Sequence, residues 1–104
     1  MIVVTTDFIP RREIIEALGV VQGSTVQSKH LGRDIGAELK SIIGGELTGY
    51  SEMLTEARKI AHERMVDQGK ALGADAIINV RYASSAVTAG AAEILAYGTA
   101  VSLK

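Results

Sequence analysis

Residues 91–103, AAEILAYGTAVSL, read as one long strand whose only charge is Glu93. Along an extended chain successive side chains point to opposite faces. One face then carries Leu95, Tyr97, Val101 and Leu103, and the other carries Ala92, Ile94, Ala96 and Ala100. A sheet covered by helices on one side only shows apolar and polar residues in alternation, and this strand does not. Residues 13–21 behave alike, with Ile15, Ala17 and Val21 on one face and Ile14, Leu18 and Val20 on the other. Either loops cover the second face or another copy of the chain does. Self-assembly is the expectation, because large exposed apolar patches mark interfaces.

The rest of the chain sets what these strands pack against. Residues 2–6 predict a short strand stopped by Asp7 and Pro10, and residues 13–26 a longer one, with Gly19 and Gly23 marking bulges or bends. Ile35, Leu39, Ile42 and Ile43 fall at helical spacing, so a first helix is expected over 33–43, ended by Gly44-Gly45. A second helix is expected from Ser51 as N-cap, with Glu52 and Glu56 near its positive end. Its apolar stripe is Leu54, Ala57, Ile60, Ala61 and Met65, rejoined by Leu72, and Gly73 is its stop. Gly69 inside that pattern costs about 1 kcal/mol relative to alanine and marks a close helix contact. Residues 75–83 then alternate, with Ala76, Ile78, Val80 and Tyr82 on one face and Asp75, Asn79 and Arg81 on the other. The small residues of 84–90 interrupt before the last strand. The predicted order is β-β-α-α-β-β: a single α+β domain over 1–104, with a mainly antiparallel sheet and helices on one face.

Composition removes whole classes of function. The chain has 104 residues, 11 basic and 12 acidic side chains, and a formal net charge of −1, so no general attraction to nucleic acid or anionic lipid is expected. Its aromatics are Phe8, Tyr50, Tyr82 and Tyr97, and with the basic doublet Arg11-Arg12 they make a poor nucleic-acid platform. The absence of cysteine removes disulfides, thiolate metal sites and cysteine nucleophiles. No window approaches the ~20 apolar residues of a membrane span. The N-terminus lacks the basic start and apolar stretch of a signal peptide, so a cytoplasmic location is expected.

Recognisable catalytic motifs are missing. Neither G-x-x-x-x-G-K-[ST] nor G-x-G-x-x-G occurs, nor a G-x-S-x-G elbow. His62-Glu63-Arg64-Met65-Val66 begins like the zinc-protease H-E-x-x-H but ends in valine, so His62 is assigned to a solvated face beside Arg58 and Glu63. Carboxylates stand at i,i+4 in Asp34/Glu38, Glu52/Glu56 and Glu63/Asp67, with Arg33, Arg58, Lys59 and Lys70 close by to neutralise them. One constellation remains. Lys29, His30 and Arg33 gather where the first expected helix begins, where free amides and basic side chains suit an anion. The alternative is that Arg33 and Asp34 form a structural ion pair, across a subunit contact.

The runs GVVQGSTV (19–26), GRDIGAELKSIIGGE (32–46), YSEMLTEAR (50–58), LGADAIINVRY (72–82) and AYGTAV (96–101) closely resemble the YbjQ-like family, uncharacterised proteins labelled as heavy-metal-binding. The resemblance covers essentially the whole chain. It implies a YbjQ-like α+β subunit of the dodecin-like group, assembled as a homopentameric ring. It also points to Arg33, Asp34, Gly44, Gly45, Tyr50, Arg58, Gly98 and Thr99 as family motif positions. Soft metals want thiolate or clustered imidazole, and this chain has no cysteine and two histidines. Where relatives often place an acidic residue after the third strand's aromatic, this chain has Tyr82-Ala83, one ligand fewer.

Three functions from different classes follow. The first is a non-enzymatic homo-oligomer that binds a small anionic ligand at subunit contacts, through Lys29, His30, Arg33, Asp34, Tyr50 and Arg58. The second is a metal-binding protein whose site forms when symmetry brings copies of His30 or of Asp34/Glu38 together. The third is an enzyme using Arg33, Asp34 and Tyr50 in an intersubunit cleft, for which no nucleophile–base pair is evident.

Overall fold

In the computed structural model, which describes residues 1–28, 42–43 and 46–104, the apolar run 91–103 is the inner strand β6 (Ala91–Leu103). It pairs antiparallel with β5 (Ala76–Thr88) on one side and β2 (Ile14–Ser28) on the other. A short β1 (Ile2–Val3) adds parallel to β5, giving a mixed four-stranded sheet in the order β1-β5-β6-β2. On one face, Ile94, Ala96 and Ala100 are buried beneath helix α1 (Thr48–Ala71). On the other, Val101 is buried in a smaller cluster with Ile9, Ala76 and Ile78, and Leu103 packs against it. The two-faced apolar pattern of β6 therefore has two causes. At this end of the sheet its outer face is covered by the chain's own N-terminal segment, through Ile9.

Among the described residues α1 is the only helix, so the described order is β-β-β-β-α-β-β rather than the expected β-β-α-α-β-β. Most of the expected first helix, residues 33–41, lies outside the described residues. Its last two positions are not helical: Ile42–Ile43 form β3, paired antiparallel with β4 (Glu46–Leu47). Two β-branched residues before Gly-Gly suit a hairpin as well as they suit a helix end, and strand pairing decides between them. The chain passes from β4 directly into α1 at Thr48, one residue after Leu47. Ser51 is consequently not the N-cap. It sits inside the helix, where its carbonyl accepts the Thr55 hydroxyl at 2.9 Å.

The helix buries Met53, Ala57, Ala61, Met65 and Gly69, a ridge at strict i,i+4 spacing. Leu54 and Ile60 flank it, half-buried, and Leu72 is 48% exposed rather than part of the stripe. The reason is the helix end. Gly73, at φ 75°, donates to Lys70 O and Ala74 donates to Gly69 O, the paired bonds of a Schellman motif, and these swing Leu72 outward. Gly69 does mark a close contact, since a Cβ there would stand 3.1 Å from Ile77 Cδ1.

Two irregularities re-aim the strands. The β2–β6 register shifts between Ala17 and Gly19, with Gly19 at φ 137°, so Leu18 and Val21 both pack toward the helix rather than on opposite faces. Gly23, expected to bend the strand, stays in regular register opposite Ala96 and instead admits the helix backbone. The β5–β6 register shifts between Ile78 and Arg81, with Asn79 at φ 54°. Ile77 and Val80 therefore join the helix-side core, whereas Ala76 and Ile78 join the outer cluster, splitting the expected face Ala76–Ile78–Val80–Tyr82. The small residues 84–88 do not interrupt β5. They continue it as far as Thr88, because β6 lies alongside to pair with them.

Candidate functional site

On the β5 side of the helix the sequence sets Arg58 and His62 one turn apart, each immediately after a buried alanine of the ridge. They stand at the shoulder of the helix, next to the sheet. Tyr82 comes to meet them because the Asn79 bulge leaves residues 80 and 82 on the helix side of β5, with Tyr82 opposite Ala96. His62 Nδ1 and Tyr82 Oη lie 2.8 Å apart, a hydrogen bond across 20 residues of sequence. The two rings are nearly parallel, 15° apart, with centroids separated by 6.3 Å. His62 is half-buried and Tyr82 is 46% exposed, so the pair forms the floor of an open recess rather than a closed cavity.

The recess has a volume of about 370 Å³ and is lined by Arg58, Lys59, His62, Glu63 and Tyr82. Arg58 Nη2 donates to Thr55 Oγ1 at 3.2 Å, which uses one of the five N–H groups of its guanidinium. His62 and Glu63 also line a second recess of about 300 Å³ that opens toward Met1 and Val3. On the far side of the bulge, Arg81 Nη1 donates to Thr5 O and Val80 O, each at 2.9 Å. That clasp holds the N-terminal segment against the edge of β5 and so steadies the strand that carries Tyr82.

Of the ligand residues expected from sequence, the structure places Arg58 in this recess. Lys29, His30, Arg33 and Asp34 lie outside the described residues, and Tyr50 lies in the first turn of α1. Sequence reasoning assigned His62 to the solvated face and missed its bond to Tyr82, as well as the roles of Lys59 and Glu63 in the recess. No sequence signal could join positions 62 and 82, because their meeting depends on the bulge between them and the sheet. Among the described residues no cluster of three or more His, Cys, Asp or Glu side chains could hold a metal ion.

A half-open recess of mixed charge, where the described helix lies over a mixed sheet, marks a small α+β protein with a candidate surface site. The chain belongs to the YbjQ-like family, whose sequence model, described as "Putative heavy-metal-binding", matches residues 1–104. A "UPF0145 protein" of Fervidobacterium nodosum is 60% identical over 104 residues, covering 100% of this chain and 96% of the relative. One from Thermotoga maritima is also 60% identical over 104 residues, covering 98% of the relative. A solved structure of a protein of unknown function from Pediococcus pentosaceus shares the fold, with a TM-score of 0.64 and 17% identity over 100% of this chain and 98% of that one. Among the described residues no helix is long and apolar enough to cross a membrane.

Proposed function

We propose that this chain is a cytoplasmic, non-enzymatic subunit of a homo-oligomer that binds a small anionic ligand. The observation that carries the assembly is the outer face of the sheet beyond the N-terminal cover. There Val20, Val26 and Tyr97 are 76%, 58% and 38% exposed, and no described residue packs over them. Exposed apolar side chains of this size on one sheet face are a surface that association would bury. The number five comes from the family resemblance. The binding half of the reading is supported by the recess at Arg58, where among the described lining residues two cations outnumber one carboxylate.

Native mass spectrometry of freshly purified, tag-free protein tests both halves, since it reports stoichiometry and any retained small molecule together. A closed oligomer at micromolar concentration, with five as the expected number, is the outcome that supports assembly. A monomer under the same conditions and in light scattering overturns it.

A further inference from the structure

We propose that the recess between residues 58–63 of α1 and Tyr82 of β5 is an oxyanion site, taking a phosphate or carboxylate group. This names the site and the ligand chemistry for the binding half of the function above, and rests on that half. Three features converge. Among the described lining residues Arg58 and Lys59 stand against the one carboxylate of Glu63, so the lining favours an anion. Among the described residues the Arg58 guanidinium donates to Thr55 alone, and its planar fork is the donor geometry that matches a phosphate or carboxylate. The third feature is the His62–Tyr82 hydrogen bond.

That bond leaves a proton donor whichever way its hydrogen lies. If the phenol donates to Nδ1, the neutral imidazole carries its own proton on Nε2. If Nδ1–H donates to the phenolic oxygen, the phenol retains O–H. In both arrangements the pair keeps one donor that no described residue takes, held by two side chains that fix each other's orientation. A preoriented donor beside two cations recognises an oxyanion more selectively than the cations could alone. The volume of about 370 Å³ sits at the small end of ligand pockets, enough for an anionic group and a few attached atoms.

The probe is inorganic phosphate, titrated into the intact protein at constant ionic strength against chloride. Binding is followed by thermal shift and by the nitrogen-15 resonances of the His62 ring. The site predicts a saturable rise in melting temperature and a perturbation of the His62 resonances. It predicts that Lys59→Gln and Arg58→Gln each weaken binding about tenfold, and that Arg33→Ala leaves it unchanged. Lys59 is exposed, so Lys59→Gln tests the site even if a change at His62 impairs folding. Tyr82→Phe removes the partner of Nδ1 and should shift the His62 ring resonances without phosphate present. Saturable binding that Arg33→Ala abolishes and Lys59→Gln leaves intact overturns this site, and leaves anion binding by the protein standing. No saturable response to phosphate or acetate beyond the chloride control overturns the site and the binding half together, while the oligomer measurement still decides the assembly.

Discussion

Gly23 on β2 lies flush against the backbone of α1, and a Cβ placed there would collide with the carbonyl oxygen of Ala61 and the amide nitrogen of Met65. It would also stand 2.7 Å from Arg64 Cβ. Because the obstacles are helix backbone, they cannot be relieved by turning a side chain. Ala57 and Ala61 on the helix ridge and Gly23 below them are therefore one device, small residues that let the helix settle onto the sheet. We expect Gly23→Ala to lower stability by about 2 kcal/mol, within the usual cost of overpacking, despite the gain in strand preference. Urea unfolding at fixed protomer concentration measures it. An unchanged midpoint would contradict the close approach.

Among the described residues β2 is an edge strand, and the same helix caps it. Gln68 Oε1 accepts the amide of Gln22 at 2.9 Å, and Arg64 Nη1 donates to the carbonyl of Ser24 at 2.7 Å. An unpaired edge is a template for another strand, and these long side chains occupy two of its positions. The double change Arg64→Ala with Gln68→Ala should cost about 1 kcal/mol or less in stability, since both bonds are exposed. Its larger effect should be a rise in concentration-dependent aggregation, read by light scattering. If the double variant scatters no more than the parent, edge protection is not what these side chains do.

Assembly can be tested by a single charge, and the structure chooses where to place it. Ile94 is 2% exposed beneath the helix, whereas Leu95 faces outward beside Ser24 and near Tyr97. Leu95→Asp should dissociate the oligomer, because burying an unpaired carboxylate at a contact costs several kcal/mol. Circular dichroism should show the subunit still folded. Sizing with light scattering reads the outcome, and an unchanged assembly would place the interface elsewhere.

Metal content is the next expectation. The chain has no thiolate and two histidines, and His62 Nδ1 is engaged by Tyr82. Tag-free protein should therefore carry no stoichiometric zinc, copper or cadmium by elemental analysis. About one metal per subunit, lost in His30→Ala, would reverse this and favour a histidine site generated by symmetry.

How far the fold was legible follows from which interactions are local. The bounds of β6 were readable because an unbroken apolar run with one charge suits little but an inner strand. The end of α1 was readable at Gly73, because a left-handed residue there is a local steric demand. The ridge was only partly readable. Ala57, Ala61 and Met65 were placed, but the flanks went to Ile60 and Leu72 instead of Met53 and Gly69, since the sheet and not the helix decides which arc is covered.

What the sequence determined by itself is the α+β class, the long C-terminal strand, the glycine stop of the helix and the surplus of apolar strand surface. Those rest on periodicity, glycine stereochemistry and counts of apolar residues, all properties of neighbouring positions. Tertiary structure alone decided which face each strand residue takes, because bulges at Gly19 and Asn79 reverse the alternation that a period of two would extrapolate. It decided that Ile9 folds back over Val101, and that Ile42 and Ile43 pair as a strand rather than extending a helix. It also made the recess. Arg58 and His62 arrive on the helix, Tyr82 arrives on a strand, and only the one-residue irregularity at Asn79 turns the phenol toward the imidazole it meets.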